Sequence, residues 1–416
     1  VSFTTWDSAR WDSGEWQGAP PAPEGWGTDW RVWYQVGAGG IIELNGLLVE
    51  AVWSTDSHTL GDGTFRGDIQ PGTATVRLWD PGHLLDHLDK HGCIFAFYQP
   101  TGAAWCWFYD SLTRGLYAPG DPTDADTVYT GVTWPTRLLN PQYANLFAAQ
   151  TVAARLTATV AWMNGTTTGG GGATWVLPTV SAAIAAQGQT VAAQVHDSNN
   201  AGPGVLPTVR DAAAPGVAWL APVGAATGPG SLTLHYARWE TINARTLDRS
   251  QVIAGPPVTA SAGWVTTAMA WAAVNGATGA TTTMPMYDLT GSKTWGVQGP
   301  GALRMWGDVS SQSAGEGLGC AATAQQVFAD RSDPSERILS SVSVTSGRRT
   351  SATGGPAGAA WDPYAHHFAP TDVLALVDNA GATKHYRVTK SDHRLTATSW
   401  QTTHTLEKYT APTALP

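Results

Sequence analysis

Asp372-Val-Leu-Ala-Leu-Val-Asp378, the turn signal Asn379-Ala-Gly-Ala382, Lys384-His-Tyr-Arg-Val-Thr-Lys390 and, after a short break, Arg394-Leu-Thr-Ala-Thr-Ser-Trp-Gln-Thr-Thr-His-Thr-Leu406 decide the fold. They are three strand-length runs rich in Val, Thr, Tyr and Trp, with turn residues between them. Val373, Leu374, Leu376 and Val377 read as a strand buried on both faces. Tyr386, Val388 and Lys390 alternate with His385, Arg387 and Thr389, as in a half-buried one. The runs hold no reacting group. A β-meander closing a barrel at the end of a long chain points to an assembly component rather than an enzyme.

Other segments fit that reading. Gly72-Thr-Ala-Thr-Val-Arg-Leu-Trp-Asp-Pro81 holds the strand-like run Thr73 to Leu78, and Val128 to Pro135 reads "VYTGVTWP". Asp288 to Gly296 ("DLTGSKTWG") ends in an aromatic and a glycine, and Arg331 to Val344 ("RSDPSERILSSVSV") reads as a helix exit and then a strand. Together with the closing "YRVTKSDHRLTATSWQTTHTLEKY", and in this order, these pieces resemble the tail-hub proteins of long-tailed bacteriophages, whose fold is shared with the baseplate hub of contractile tails. The chain departs from that pattern in its Trp-rich start and its Gly/Ala/Thr-rich loops.

The resemblance implies a mainly β, multi-domain fold, with two barrel-like domains lining a tube and an α+β domain inserted between them. It further implies a homotrimer whose barrels form a pseudo-sixfold ring at the tail tip of a virion assembled in the host cytoplasm. Such a ring would adapt the sixfold tail to a threefold tip. It would bind the distal tail protein, the tape-measure protein and other tail-tip proteins, and it would gate the exit of genomic DNA. No cofactor is implied.

Composition sets bounds that need no family. A chain of 416 residues is too long for one core and is expected to divide. Charged residues are 13% of the chain, against about 25% in an ordinary soluble protein. The 21 Trp suit either ordinary β cores or interfaces between copies, whose centres lose charge and gain aromatics. The net charge of −9 argues against nonspecific nucleic-acid binding, which needs a Lys/Arg footprint. It suits a conduit through which DNA must slide.

Four parts are expected. Residues 1–28 read as an extended arm with aromatic anchors, a disordered tail being the plainer alternative. Trp6, Trp11 and Trp16 recur every five residues, a spacing neither helix nor strand requires, and Pro20-Pro21 uncouples them from the first barrel. They are the candidate assembly-interface residues. Residues 29–145 read as that first barrel-like domain, with Trp33/Tyr34, Leu47 to Val52, Thr73 to Leu78 and a hairpin over 93–109 as its clearest strands. Residues 146–246 read as the α+β domain. Its helix carries Leu146, Ala149, Val152, Ala153, Leu156 and Val160 on one face and Arg155 facing out. A second helix is expected over 189–197, then strands over 217–223 and 231–237. Residues 247–416 read as a second barrel-like domain with helical insertions. They hold strands over 264–271, 304–309 and 338–344 and a helix over 313–330.

Three cysteines, Cys93, Cys106 and Cys320, give no disulfide framework. A tight hairpin turn would place Cys106 opposite Phe97 and not opposite Cys93, so free thiols are expected. The first thirty residues lack a secretory pattern, and no run is long and apolar enough to span a membrane.

Chemistry finds little support. His83, His87 and His91 fall at i, i+4, i+8, a spacing that could align metal ligands on a helix, but Pro81-Gly82 and Gly92 leave room for barely two turns. A solvated face is the simpler reading. His366-His367 reads as a lone pair with no second half. A glycosidase needs two carboxyl groups across a cleft; Glu240, Asp288 and Asp308, beside Trp239, Tyr287 and Trp306, are candidates, yet no motif sets two of them there. Gly-x-Ser-x-Gly, a phosphate loop, His-Glu-x-x-His and Cys-x-x-Cys are all missing. The chain therefore reads as a non-enzyme without a metal or catalytic site. Two other readings stay open: a distal tail or other baseplate ring protein, and a secreted polysaccharide-binding or -cleaving protein whose Trp stack on sugars.

Overall fold

The computed structural model describes residues 29–36, 40–59, 68–80, 92–99, 101–114, 126–138, 150–164, 180–184, 190–191, 216–225, 228–238, 243–247, 258–260, 267–270, 302–305, 337–347, 366–370, 372–377, 381–396 and 399–409. The first strands are β1 (Trp30–Val36), β2 (Gly40–Glu43), β3 (Leu48–Ser54), β4 (Ser57–Thr59), β5 (Asp68–Gln70), β6 (Thr73–Trp79), β7 (Cys93–Tyr98), β8 (Ala103–Arg114) and β9 (Asp126–Val132). Helix α1 (Trp134–Leu138), β10 (Gln150–Thr151), helix α2 (Val152–Met163), β11 (Val180–Ile184), β12 (Thr190–Val191), β13 (Gly216–Ala225), β14 (Gly228–Arg238) and β15 (Asn243–Thr246) succeed them. Then come β16 (Val258–Ala260), β17 (Thr267–Ala270), β18 (Ala302–Met305), β19 (Arg337–Leu339), β20 (Ser341–Gly347), β21 (Asp372–Val377), β22 (Thr383–Thr396) and β23 (Ser399–Lys408). The fold is mainly β, as the residue patterns imply.

One large sheet runs β15-β21-β22-β3-β6-β9-β8-β7-β1-β2, with β23 joining β22 to β20. β6 shows why its residues form a half-buried strand: Ala74, Val76 and Leu78 point inward, while Thr73, Thr75 and Arg77 point out. β1 and β3 lie five strands apart in this order, which in a flat sheet is roughly 24 Å. Yet Trp30 of β1 and Trp53 of β3 have ring centroids 6.3 Å apart, and Trp30 lies 5.2 Å from Trp400 of β23. The sheet is therefore curled like a barrel around a core of Trp30, Trp53, Tyr98, Trp105 and Trp400.

β7 is buried on both faces. Ile94, Ala96 and Tyr98 face the curled core, while Cys93, Phe95 and Phe97 face outward onto α2 and the β11-β14-β13 sheet. That second layer contributes Leu156, Val160, Trp162, Leu220, Leu234 and Tyr236. Trp134 and Trp162, which lie outside any strand, are buried within the chain itself.

β22 passes between two cores. Its Tyr386 and Val388 belong with Val342, Val344, Leu374 and Leu406, whereas its Leu395 belongs to the Trp core. Its first half pairs with β21, its second half with β3, and β23 runs beside nearly its whole length. A register shift between Val388 and Lys390 marks the crossing.

Several expectations are corrected. The break expected between Lys390 and Arg394 does not exist. Ser391 and His393 are buried in an unbroken strand, because the bulge turns alternate side chains back into a core. Val377 is 60% exposed, so β21 is buried on both faces only at its start. Arg155 does not face out but is fully buried. Thr151 caps α2 by accepting a bond from the Ala154 N–H at 3.2 Å. With the helix start fixed there, the buried stripe widens to take in Arg155, Thr159 and Trp162, leaving Ala154 and Thr157 to solvent. Thr190–Val191, expected to be helical, pairs with β10 as a strand. Cys106 stands opposite Phe95 rather than Phe97, and Cys93 opposite Phe108. The turn is longer than expected: the Gly102 N–H closes onto the Tyr98 carbonyl at 2.9 Å, with Gly102 at φ 73°. Both thiols are free and buried.

Candidate functional site

The crossing of β22 gathers a cluster of aromatic and imidazole rings. His366 stacks on Trp400 at 4.3 Å and 12°, and His393 stacks on Trp53 at 4.7 Å and 11°. Thr402 Oγ1 joins the two imidazoles, 2.7 Å from His366 Nδ1 and 3.0 Å from His393 Nδ1. Trp400 Nε1–H also points at His393 Nδ1, at 3.4 Å. A ring nitrogen that receives an indole N–H is an acceptor, so Thr402 donates to His393 and accepts from the Nδ1–H of His366. Nearby, Ser391 Oγ bonds His404 Nδ1 at 2.7 Å, and Phe368 meets His404 edge-to-face.

Burial favours the neutral form of His366, His367 and His393. It pulls His366 down to about 3 from 6.5, with the His404 charge adding to the effect. His367 falls to about 4, chiefly through burial. His393 lies well below its ordinary value, through burial and then its neighbours His404, His366 and His367. His366-His367 is thus not a lone pair. β22 and β23 bring His393 and His404 to it from 26 or more positions down the chain. The strand alternation of 391, 393 and 395 could have revealed His393, but only with the bulge in place.

Beside the cluster lies a cavity of about 280 Å³, bounded by the end of β3, β8, the β13–β14 pair, residues 367–370 and β22. The Thr55 N–H bonds the Ser391 carbonyl at 2.8 Å, and the Ser391 N–H returns a bond to Thr55 Oγ1 at 2.9 Å, clamping two walls together. Asp56 and His58 line it. Burial pushes the Asp56 carboxyl up to about 6, while the nearby Thr133 hydroxyl, the bond from the Gly72 N–H and the nearby Trp134 indole pull it down. Burial takes His58 down to about 4.

Trp6, Trp11, Trp16, His83, His87, His91, Cys320, Glu240, Asp288 and Asp308 lie outside the described residues, as do the 313–330 helix and the 288–296 segment. Among the described residues no three His, Cys, Asp or Glu side chains are grouped to hold a metal. No described helix is long and apolar enough to cross a membrane. The cluster offers buried rings and hydroxyls held in mutual hydrogen bonds.

No family model and no curated protein matches the sequence. Solved structures do match. The tail protein from Neisseria meningitidis MC58 superposes with a TM-score of 0.51 at 10% identity, over 91% of this chain and 96% of that one. The 43 kDa tail protein of prophage MuSo2 from Shewanella oneidensis gives 0.46 at 8% identity, over 90% and 96%. The E. coli c3393 protein, a type VI secretion component with structural similarity to the T4 phage tail proteins gp27 and gp5, gives 0.44 at 10% identity, over 89% and 77%. The Neisseria likeness is one of fold. Along nearly its whole length the chain has the fold of a tail protein, in keeping with the resemblance read from its strands.

Proposed function

We propose that the chain is a structural protein of a phage tail, seated at the tail tip as its hub. The observation that carries this reading is the shared fold over 91% of this chain and 96% of the Neisseria tail protein. Two β cores joined through β22 support it, because a hub needs two like bodies per subunit to make six positions from three copies. In this reading residues 29–145 and 247–416 supply the two bodies and 146–246 the inserted domain. The homotrimer adapts the sixfold tail to a threefold tip, contacts the distal tail and tape-measure proteins, and opens for DNA. The net charge of −9 suits a lumen that must not hold phosphates. The work is assembly and gating, with no bond made or broken. Native mass spectrometry of the purified ring, with imaging of particles labelled on this chain, should show three copies around the tail axis. Six equivalent copies would remove the hub assignment and favour a ring protein of the same tail.

A further inference from the structure

The cavity beside β22 contains a carboxylate with no counter-ion among the described residues. Asp56 lines it and accepts from the Gly72 N–H at 3.3 Å, yet among the described residues no cation pairs with it. Two cations stand close by, and both are engaged elsewhere. Lys390, also in the cavity wall, is held by Asp392 at 2.8 Å. Arg245 lies over the Phe368 ring at 4.5 Å, but its guanidinium donates to Asp372 at 3.0 Å and to the His367 carbonyl at 2.7 Å. Next to Asp56, the buried Nδ1 of His58 has no hydrogen-bond partner. A half-buried carboxylate facing apolar rings and a buried ring nitrogen without a partner are both costly to leave so.

The rest of the wall is aromatic. Trp105, Trp134, Trp219 and Phe368 line the space, and its volume of about 280 Å³ suits one ring-sized group rather than a larger ligand. Negative ring faces around a carboxylate favour a cation whose body is flat and apolar. We propose that this cavity binds an organic cation, with a guanidinium or ammonium group at Asp56 and its apolar body against the indoles of Trp134 and Trp219. The site does not depend on the tail assignment. A free small molecule and an arginine of a neighbouring chain offer the same chemistry.

Calorimetric titration of the full chain with benzamidine, N-acetyl-arginine amide and neutral benzamide separates these cases. At least one of the two cations should bind about tenfold or more tightly than benzamide, the difference a charge-assisted bond makes. Tighter binding of benzamidine assigns the site to a free ligand, and tighter binding of the arginine derivative to a neighbouring chain. Asp56→Asn keeps the shape and should erase the preference for the cation. Trp219→Ala, at a half-buried position, should weaken both cations while leaving the thermal melt nearly unchanged. Equal binding of benzamide, no binding of either cation, or unchanged cation binding by Asp56→Asn would overturn the proposal.

Discussion

Lowering the pH from 7 to 4.5 should loosen the crossing of β22 well before the rest of the chain unfolds. His366 is fully buried, and its folded pKa of about 3 lies below the ordinary 6.5. The unfolded chain therefore takes up a proton first. The stability this group contributes is complete above pH 6.5 and is lost as the pH falls towards 3, at about 1.4 kcal/mol per pH unit. At pH 4.5 the loss from His366 alone is about 3 kcal/mol. His367, His393 and His58 act in the same direction, since each is lowered by burial. Asp56 acts oppositely. Its folded pKa of about 6 exceeds 3.8, so its contribution grows as the pH falls through 6 and offsets part of the loss. Urea melts monitored by Trp fluorescence measure this directly, because Trp400 and Trp53 lie stacked on the titrating rings. The midpoint should fall steeply between pH 6.5 and 4.5, and in His366→Phe the slope should flatten by roughly one proton. A midpoint that does not move over this range, or an unchanged slope in the variant, would refute the assignment of buried neutral imidazoles.

Single positions give further expected outcomes. A Cβ at Gly72 would sit 2.2 Å from the Ser54 carbonyl oxygen, so Gly72→Ala should destabilise by about 1–3 kcal/mol or more, read as a lower melting temperature. Trp400→Ala removes ring contacts to Trp30, Tyr98 and His366 and should cost about 3–5 kcal/mol in the same melt. Deleting residues 1–28, or replacing Trp6, Trp11 and Trp16 together by Ala, should leave the rest folded but reduce incorporation into particles, since a Trp buried in a partner's pocket would contribute roughly 2 kcal/mol or more. Normal incorporation and infectivity of the triple variant would make the arm a passive tail.

Strands are legible wherever one face alone is wetted. β6 and the 93–109 hairpin announce themselves because β-branched and aromatic residues sit at strand spacing between turn signals. What local pattern misreads is set by contacts distant in the chain. Polar residues suggest a break between Lys390 and Arg394, but Ser391 and His393 are polar groups that find partners in β23, Trp53 and Thr55. Arg155 reads as outward because charge normally faces water. The hairpin register differs from the expected one because Gly102, at positive φ, closes a longer turn onto the Tyr98 carbonyl. The Asp56 cavity leaves no trace in sequence, since its walls come from seven separate stretches and its one informative group is a single aspartate.

The 14 residues of β22 make a rod of roughly 45 Å. It is bonded on one flank to β21 and β3 in turn and on the other to β23. A pull between the two cores therefore runs lengthwise along this rod and loads many ladder bonds side by side, where they must shear together. The same pull across a flexible linker would stretch the linker and leave each body free to swivel. Torque applied to one body is handed on to the other with little slack, and the bulge beyond Val388 is the point at which the rod can yield by twisting.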